Sequence, residues 1–205
     1  MSTTKPALHL SGDKNADALI SRDPLALLIG MVLDQQFPLE RAFAAPALLV
    51  ERLGTKLDVR AIASMDEETL AAAFRQPPAL HRFPGSMAGR VQSLCRIITE
   101  KYGGKPAAVW KTAKSGEELL GRLEALPGFG AQKAKIFVAL LGTQLEVQPK
   151  GWREVSAPYG EEDSHRSIAD IDSPETLIRV REYKRAMKAA DKGKAKGSKP
   201  AGSKA

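Results

Sequence analysis

The stretch LEALPGFGAQKAKIFVALLG, residues 123–142, decides how the rest of this chain is read. One apolar-periodic segment stops at Leu126-Pro127, a Gly-Phe-Gly turn follows, and a second helical segment begins at once. Proline cannot continue the first helix, and glycine at 128 and 130 lets the backbone turn tightly and bring its amides close to a ligand. The first turn of the second helix has N–H groups without intrahelical partners, backed by the helix dipole, so the arrangement makes an anion site. Phe129 is expected to plug the turn into the apolar space between the helices, and Ala134 to let them approach closely. Lys133 and Lys135 would add positive charge near a phosphate. Contact of this kind grips a nucleic-acid backbone and reads no base.

Outward from the hairpin, the pattern is helix after helix. Asp23 before Pro24 is a capping carboxylate ahead of proline at the first helical position, and Leu25, Leu28, Ile29, Val32 and Leu33 recur at helical spacing behind it. A second helix is predicted over Leu39 to Leu53, interrupted near Pro46 and closed by Gly54. Ser64 with Glu67, and Ser115 with Glu118, read as capping boxes. Ser86 is expected to cap a long helix carrying Met87, Val91, Leu94, Ile97 and Ile98 inward as far as Gly103-Gly104. The proline-rich loop QPPALHRFPG, residues 76–85, precedes it. His81-Arg82-Phe83 within that loop either lines a groove or is ordinary surface with Phe83 buried. The hairpin's second helix should end at Gly142, and Ser173-Pro174 opens a last one through Leu177, Val180 and Tyr183. No alternating strand is found, so the fold class is all-α. The expected organisation is an N-terminal extension (1–20), a helical domain (21–183) with the hairpin at 123–142, and a basic disordered tail (184–205). An irregular segment follows the hairpin at 143–173, and a closing helix spans 174–188.

Composition bounds the function. The chain has 205 residues, 27% charged and 43% hydrophobic, ordinary for a globular protein. No apolar run approaches the about 20 residues of a membrane span, and the first residues are too polar for a secretory signal. A single cysteine, Cys95, excludes an intrachain disulfide, a zinc ribbon and an iron–sulfur cluster built from this chain alone, and its apolar-periodic surroundings make it a core residue. His9, His81 and His165 lack metal-ligand spacing, so no metal or cofactor is expected. The net charge of +7 is local: eight of the 31 lysines and arginines, but one of the 24 acids, lie from Lys184 onward, which leaves the first 183 residues neutral. A flexible cationic tail of that kind attracts polyanions by counterion release.

Residues 126–134 match, position by position, the pattern Leu-Pro-Gly-hydrophobic-Gly, three variable residues, then Ala, and so resemble the helix-hairpin-helix DNA-binding motif. LLIGMVLDQQFPLERAFAAPALLVERLG, residues 27–54, resembles the N-terminal signature of the helix-hairpin-helix base-excision glycosylases (the HhH-GPD superfamily). The order of these motifs, with a helix like MAGRVQSLCRIITEKYGG between them, fits a small branch of that superfamily without the iron–sulfur cluster domain. The resemblance covers roughly residues 24–150. It implies double-stranded DNA, damaged or not, as the partner of a monomeric, cytoplasmic, nucleoid-associated protein. Gly128, Phe129, Gly130, Gln132, Lys133 and Lys135 would be the DNA contacts. Gln36, with Gln35 second, would be the wedge that fills the gap left by an extruded base.

Two positions depart from the family pattern. The lysine that bifunctional members carry second after the final glycine is Gln132 here, which has no amine to form a Schiff base. Lys133 stands one residue on, rotated about 100° around the helix. The aspartate expected some 20 residues after the hairpin falls at or near Gln148, and an amide is a far weaker stabiliser of a cation. Glu146 lies two residues before Gln148, and Asp34, Asp163 and Asp170 could approach from elsewhere. None inherits the role by motif, and each of these acids taken singly reads more readily as exposed or capping. That leaves Glu146, Asp34 and Gln148 as the candidates for the chemistry. Three readings stay open. The first is a monofunctional DNA glycosylase, a hydrolase for bases that leave easily, such as N-alkylated purines. The others are a catalytically inactive lesion or structure binder, and an unrelated helical adaptor using the hairpin for phosphate.

Overall fold

The computed structural model describes residues 8–197, and among them there is no strand. Eleven α-helices follow one another: α1 Lys14–Arg22, α2 Pro24–Leu33, α3 Leu39–Leu53, α4 Val59–Ser64, α5 Glu67–Arg75, α6 Pro84–Tyr102, α7 Ala108–Lys111, α8 Gly116–Glu124, α9 Ala131–Gln144, α10 Trp152–Ser156 and α11 Pro174–Gly197. A 3-10 turn, Ile168–Asp170, precedes the last. All-α is what the sequence pattern predicts.

The centre of the molecule is α2, apolar all round and buried on every side from Leu25 to Leu33. A helix without a polar face has to be enclosed, and α1, α3 and α6 pack around this one. Asp23 starts it as expected, its carboxylate accepting from the amides of Leu25 and Ala26. Helices α4 and α5 lie against α6, while α8, α9 and α10 pack together with the 3-10 turn and α11 behind them. The apolar core runs through both groups, from Leu8 and Leu10 to Leu177 and Val180. Cys95 sits fully buried within it, and burial pushes its thiol up to about 12.

Several local expectations are corrected. The stretch read as an extension, 1–20, contributes α1, whose Asp17 carboxylate accepts from the amides of Leu10 and Ser11 and pins the chain onto the core. Pro46 does not interrupt α3; the helix runs through it to Gly54, which closes it in the left-handed conformation. Ser64 ends α4 instead of opening α5, where Asp66 is the cap and accepts from the Thr69 amide. The long helix starts two residues before Ser86, with Pro84 in its first turn. Ser115 caps α8 through the Glu118 amide as predicted, but the Glu118 carboxylate accepts from Lys114, one residue upstream of a true capping box.

Gly142 does not end the hairpin's second helix. A Cβ there would lie 2.3 Å from the Trp152 indole, so this glycine is the notch that lets α10 dock on α9. The segment 143–173 therefore holds α10 and the 3-10 turn, with Trp152, Ile168 and Ile171 buried. The closing helix continues past Lys188 to Gly197 where disorder was expected, and residues 198–205 of the expected tail lie outside the described residues.

Candidate functional site

The hairpin is built as its residues dictate. α8 ends at Glu124, and the amides of Leu126 and Phe129 are taken up by Leu123 and Leu126 carbonyls. Phe129 is 6% exposed and meets Phe137 edge-on at 5.7 Å, plugging the turn. The two glycines work differently. Gly128 has φ +84°, and a Cβ there would come within 2.9 Å of the Arg90 side chain. Gly130 has an ordinary extended backbone (φ −88°), caps α9 with no side-chain hydrogen bond, and faces open space. The first-turn amides of α9 are thus left facing outward beside an exposed, side-chain-free surface, which is what a phosphate needs.

The glutamine turn faces the same region. Gln35 is held inward: its amide nitrogen donates to the Val32 carbonyl at 2.6 Å, and its side-chain oxygen accepts from Arg90 at 2.8 Å. His81, buried in the proline-rich loop, contacts the Gln35 carbonyl through Nε2 at 3.0 Å while Nδ1 accepts from the Phe83 amide. Those partners require the neutral Nε2–H tautomer. Burial, seconded by the nearby Arg82, Arg90 and Lys133, keeps the ring below the usual histidine range, although its bond to Gln35 opposes them. Gln36, by contrast, is exposed, has φ +51°, and takes no part in the hydrogen bonds that fix the turn. A left-handed glutamine is uncommon and costs about 1–2 kcal/mol. The next loop brings Phe83, which is 47% exposed under Arg82. The sequence left Phe83 between groove and burial; the structure buries His81 and exposes Phe83.

Between these elements lies a cavity of about 660 Å³, walled by the C-terminal end of α2, the start of α9, the loop through Pro158 and Tyr159, and α11. Gln132 and Lys133 both line it. Gln132 donates to the Tyr159 hydroxyl at 2.9 Å. The Lys133 ammonium turns inward and donates to the Met31 carbonyl at 2.6 Å, capping the negative end of α2. The expectation was charge near a phosphate; the structure turns the Lys133 ammonium toward the cavity and the Met31 carbonyl. Burial lowers Lys133 to about 8, against the opposing pull of Asp34. Among the described residues Asp34 is the single acid lining the cavity, whose wall also carries the cations Lys133, Arg166, Lys184 and Lys188. Burial raises its carboxyl above the ordinary value, partly offset by Lys184 and Lys133. Lys135 is half-buried on the same helix, away from that lining.

Of the three candidates for the chemistry, the structure brings only Asp34 to the hairpin. Glu146 (φ +56°) and Gln148 open on a separate cavity of about 650 Å³, and the Gln148 amide donates to the Gly142 carbonyl at 2.9 Å. Asp170 is a capping acid, accepting from the Arg166 and Ser167 amides at 2.9 Å. Among the described residues no group of three or more His, Cys, Asp and Glu side chains is arranged to hold a metal, and no helix is long and apolar enough to cross a membrane. Arg90 and Tyr183 were missed as site residues by sequence reasoning, and Tyr159 was read only as packing its segment onto the body. Nothing in their local pattern marks them, since each acts across 24 residues or more of chain.

The all-α fold thus sets a Gly-Phe-Gly helical hairpin beside an exposed glutamine and a cavity. The chain belongs to the HhH-GPD superfamily of base excision DNA repair proteins, whose family model matches residues 29–196. A comparison with curated proteins found no match.

Proposed function

We propose that this protein is a monofunctional DNA N-glycosylase acting on bases that leave easily, N-alkylated purines being representative. One observation carries this reading: the exposed, left-handed Gln36 stands on a braced turn two residues from Asp34, which lines a cavity beside the hairpin. Extruding a base costs a few kcal/mol, and a side chain inserted in its place recovers part of that. The cavity size lies in the range of small-molecule sites, and its cations suit the phosphates flanking an extruded nucleotide. Gln132 supplies no amine, which supports release without strand cleavage. N-alkylated purines carry ring charge that drives departure, so they place little demand on the site's acid.

Binding without chemistry is favoured by one observation: Gln148, at or near the position where the resemblance expects an aspartate, is tied to a backbone carbonyl outside the cavity. Base release decides between the two. Duplexes carrying alkylated, deaminated or oxidised bases are incubated with the protein and divided between hot-alkali workup and none. Alkali-dependent cleavage on at least one lesion is expected. Duplex binding with no release on any lesion overturns the glycosylase reading, and alkali-independent cleavage overturns its monofunctional part.

A further inference from the structure

Asp34 closes α2, its amide donating to the Gly30 carbonyl at 2.9 Å, so the position of its backbone is set by the most buried helix of the molecule. Its carboxylate is influenced by burial and by neighbouring charges, with no hydrogen bond contributing. A capping or structural acid is normally satisfied by backbone amides, as Asp13, Asp23, Asp58, Asp66 and Asp170 are here. Asp34 makes no such bond among the described residues: it is an acid lining a cavity, with its oxygens unused by the fold. Gln36 follows two residues later, so backbone geometry alone keeps the two Cα atoms within about 7 Å. A side chain at Gln36 that enters the stack therefore brings the sugar of the extruded nucleotide toward Asp34.

We propose that Asp34 is the catalytic carboxylate of this site, stabilising the cationic sugar as the base departs, in place of the acid that the resemblance expects after the hairpin. This rests on the glycosylase reading above. The C1′–N bond breaks and its electron pair leaves with the alkylated base, which departs neutral. The positive charge left on C1′ and the ring oxygen faces Asp34 and favours its carboxylate form. A water oxygen then bonds to C1′, and its proton passes through Asp34 to solvent. Lys133 is a positioning residue. Its ammonium, fixed on the Met31 carbonyl, is one of two cations that pull the Asp34 carboxyl down against burial and the neighbouring Glu40.

The charge complementarity can be measured without turnover. Affinity is compared between duplexes carrying a pyrrolidine abasic analogue, which is cationic, and a neutral tetrahydrofuran analogue. The full-length protein is expected to prefer the pyrrolidine by tenfold or more, about 1.4 kcal/mol. Asp34→Asn and the smaller Asp34→Ser should lose that preference with tetrahydrofuran affinity unchanged, while Glu146→Gln keeps it. Where a lesion is released, Asp34→Asn should slow release by about a hundredfold or more. No preference in the unmodified protein, its survival in both Asp34 variants, or its loss in Glu146→Gln overturns the assignment. A protein that releases no base yet shows a pyrrolidine preference dependent on Asp34 refutes the glycosylase reading and keeps the acid's place in the site.

Discussion

Asp34 and Lys133 are each held in a state that water would not choose, and the direction of each displacement has consequences. The Asp34 carboxyl is raised above its ordinary value of about 4, so the folded chain binds that proton more readily than the unfolded chain. Its contribution favours folding at low pH and is lost as pH rises through the raised value. Asp34→Asn should therefore stabilise the protein at neutral pH by about 1 kcal/mol, as when a strained functional group is relieved. That gain should vanish as pH falls to about 4 and below. Thermal melts of the two proteins across pH check this, and equal melting temperatures at neutral pH would contradict it. Replacing Lys133 acts in the opposite sense. Lys133 lowers the Asp34 carboxyl, so Lys133→Met should move it further up. The acidic limb of the base-release profile should then shift to higher pH, and an unmoved limb would separate Lys133 from Asp34. Losing the donor to Met31 should also cost about 1 kcal/mol of stability.

At the scale of elements, the hairpin and the glutamine turn are two loops held against one another by Arg90, which donates to Gln35 and lies under Gly128. The glycines were read as a pair, but their surroundings separate their substitutions. Gly130→Ala meets open space within the protein, so it should fold normally and weaken binding to every duplex alike. Gly128→Ala strains a positive-φ turn and displaces Arg90, so it should lower stability by about 1 kcal/mol or more. Fluorescence anisotropy with undamaged duplex, beside denaturant unfolding, distinguishes them; full affinity in Gly130→Ala would remove the α9 amides from the interface. Gln36→Gly makes the complementary case. Strain relief of about 1–2 kcal/mol is offset by glycine's larger chain entropy, so stability should stay within about 1 kcal/mol. Affinity for a duplex with a missing base should fall at least several-fold, and no change there would take Gln36 out of the gap. These elements were readable because each announces itself locally: a proline, a glycine turn, a cap, a 3.6-residue period. What was misread lay where tertiary contacts override local signals. Gly142 looked like a helix end and is a docking notch for Trp152, and Pro46 looked like a break and is carried by buried neighbours on α3.

At the scale of the whole molecule, the cavity was the least legible part, because its wall comes from chain segments far apart. Asp34 and Gln132 were visible as single residues. That Tyr159, Arg166, Tyr183 and Lys184 close the space over them follows only from how 143–173 folds back and where α11 lies. Arg181 of α11 pairs with Glu40 of α3 at 2.9 Å, which ties the last helix across to the start of the glutamine-turn side. The basic tail consequently divides into two parts that composition alone could not separate. Lys184, Met187 and Lys188 are wall, whereas residues 189–205 hold five lysines and one aspartate beyond it. Deleting 189–205 should flatten the salt dependence of duplex binding, since each phosphate neutralised adds about 0.9 to the slope, and should leave lesion preference intact. Deleting 184–205 should flatten it further and also abolish lesion preference, because one side of the cavity goes with it. Binding measured over a salt series with damaged and undamaged duplexes separates the two truncations. If the longer deletion keeps its preference, α11 is no part of the site, and lesion recognition rests on the glutamine turn and the hairpin alone.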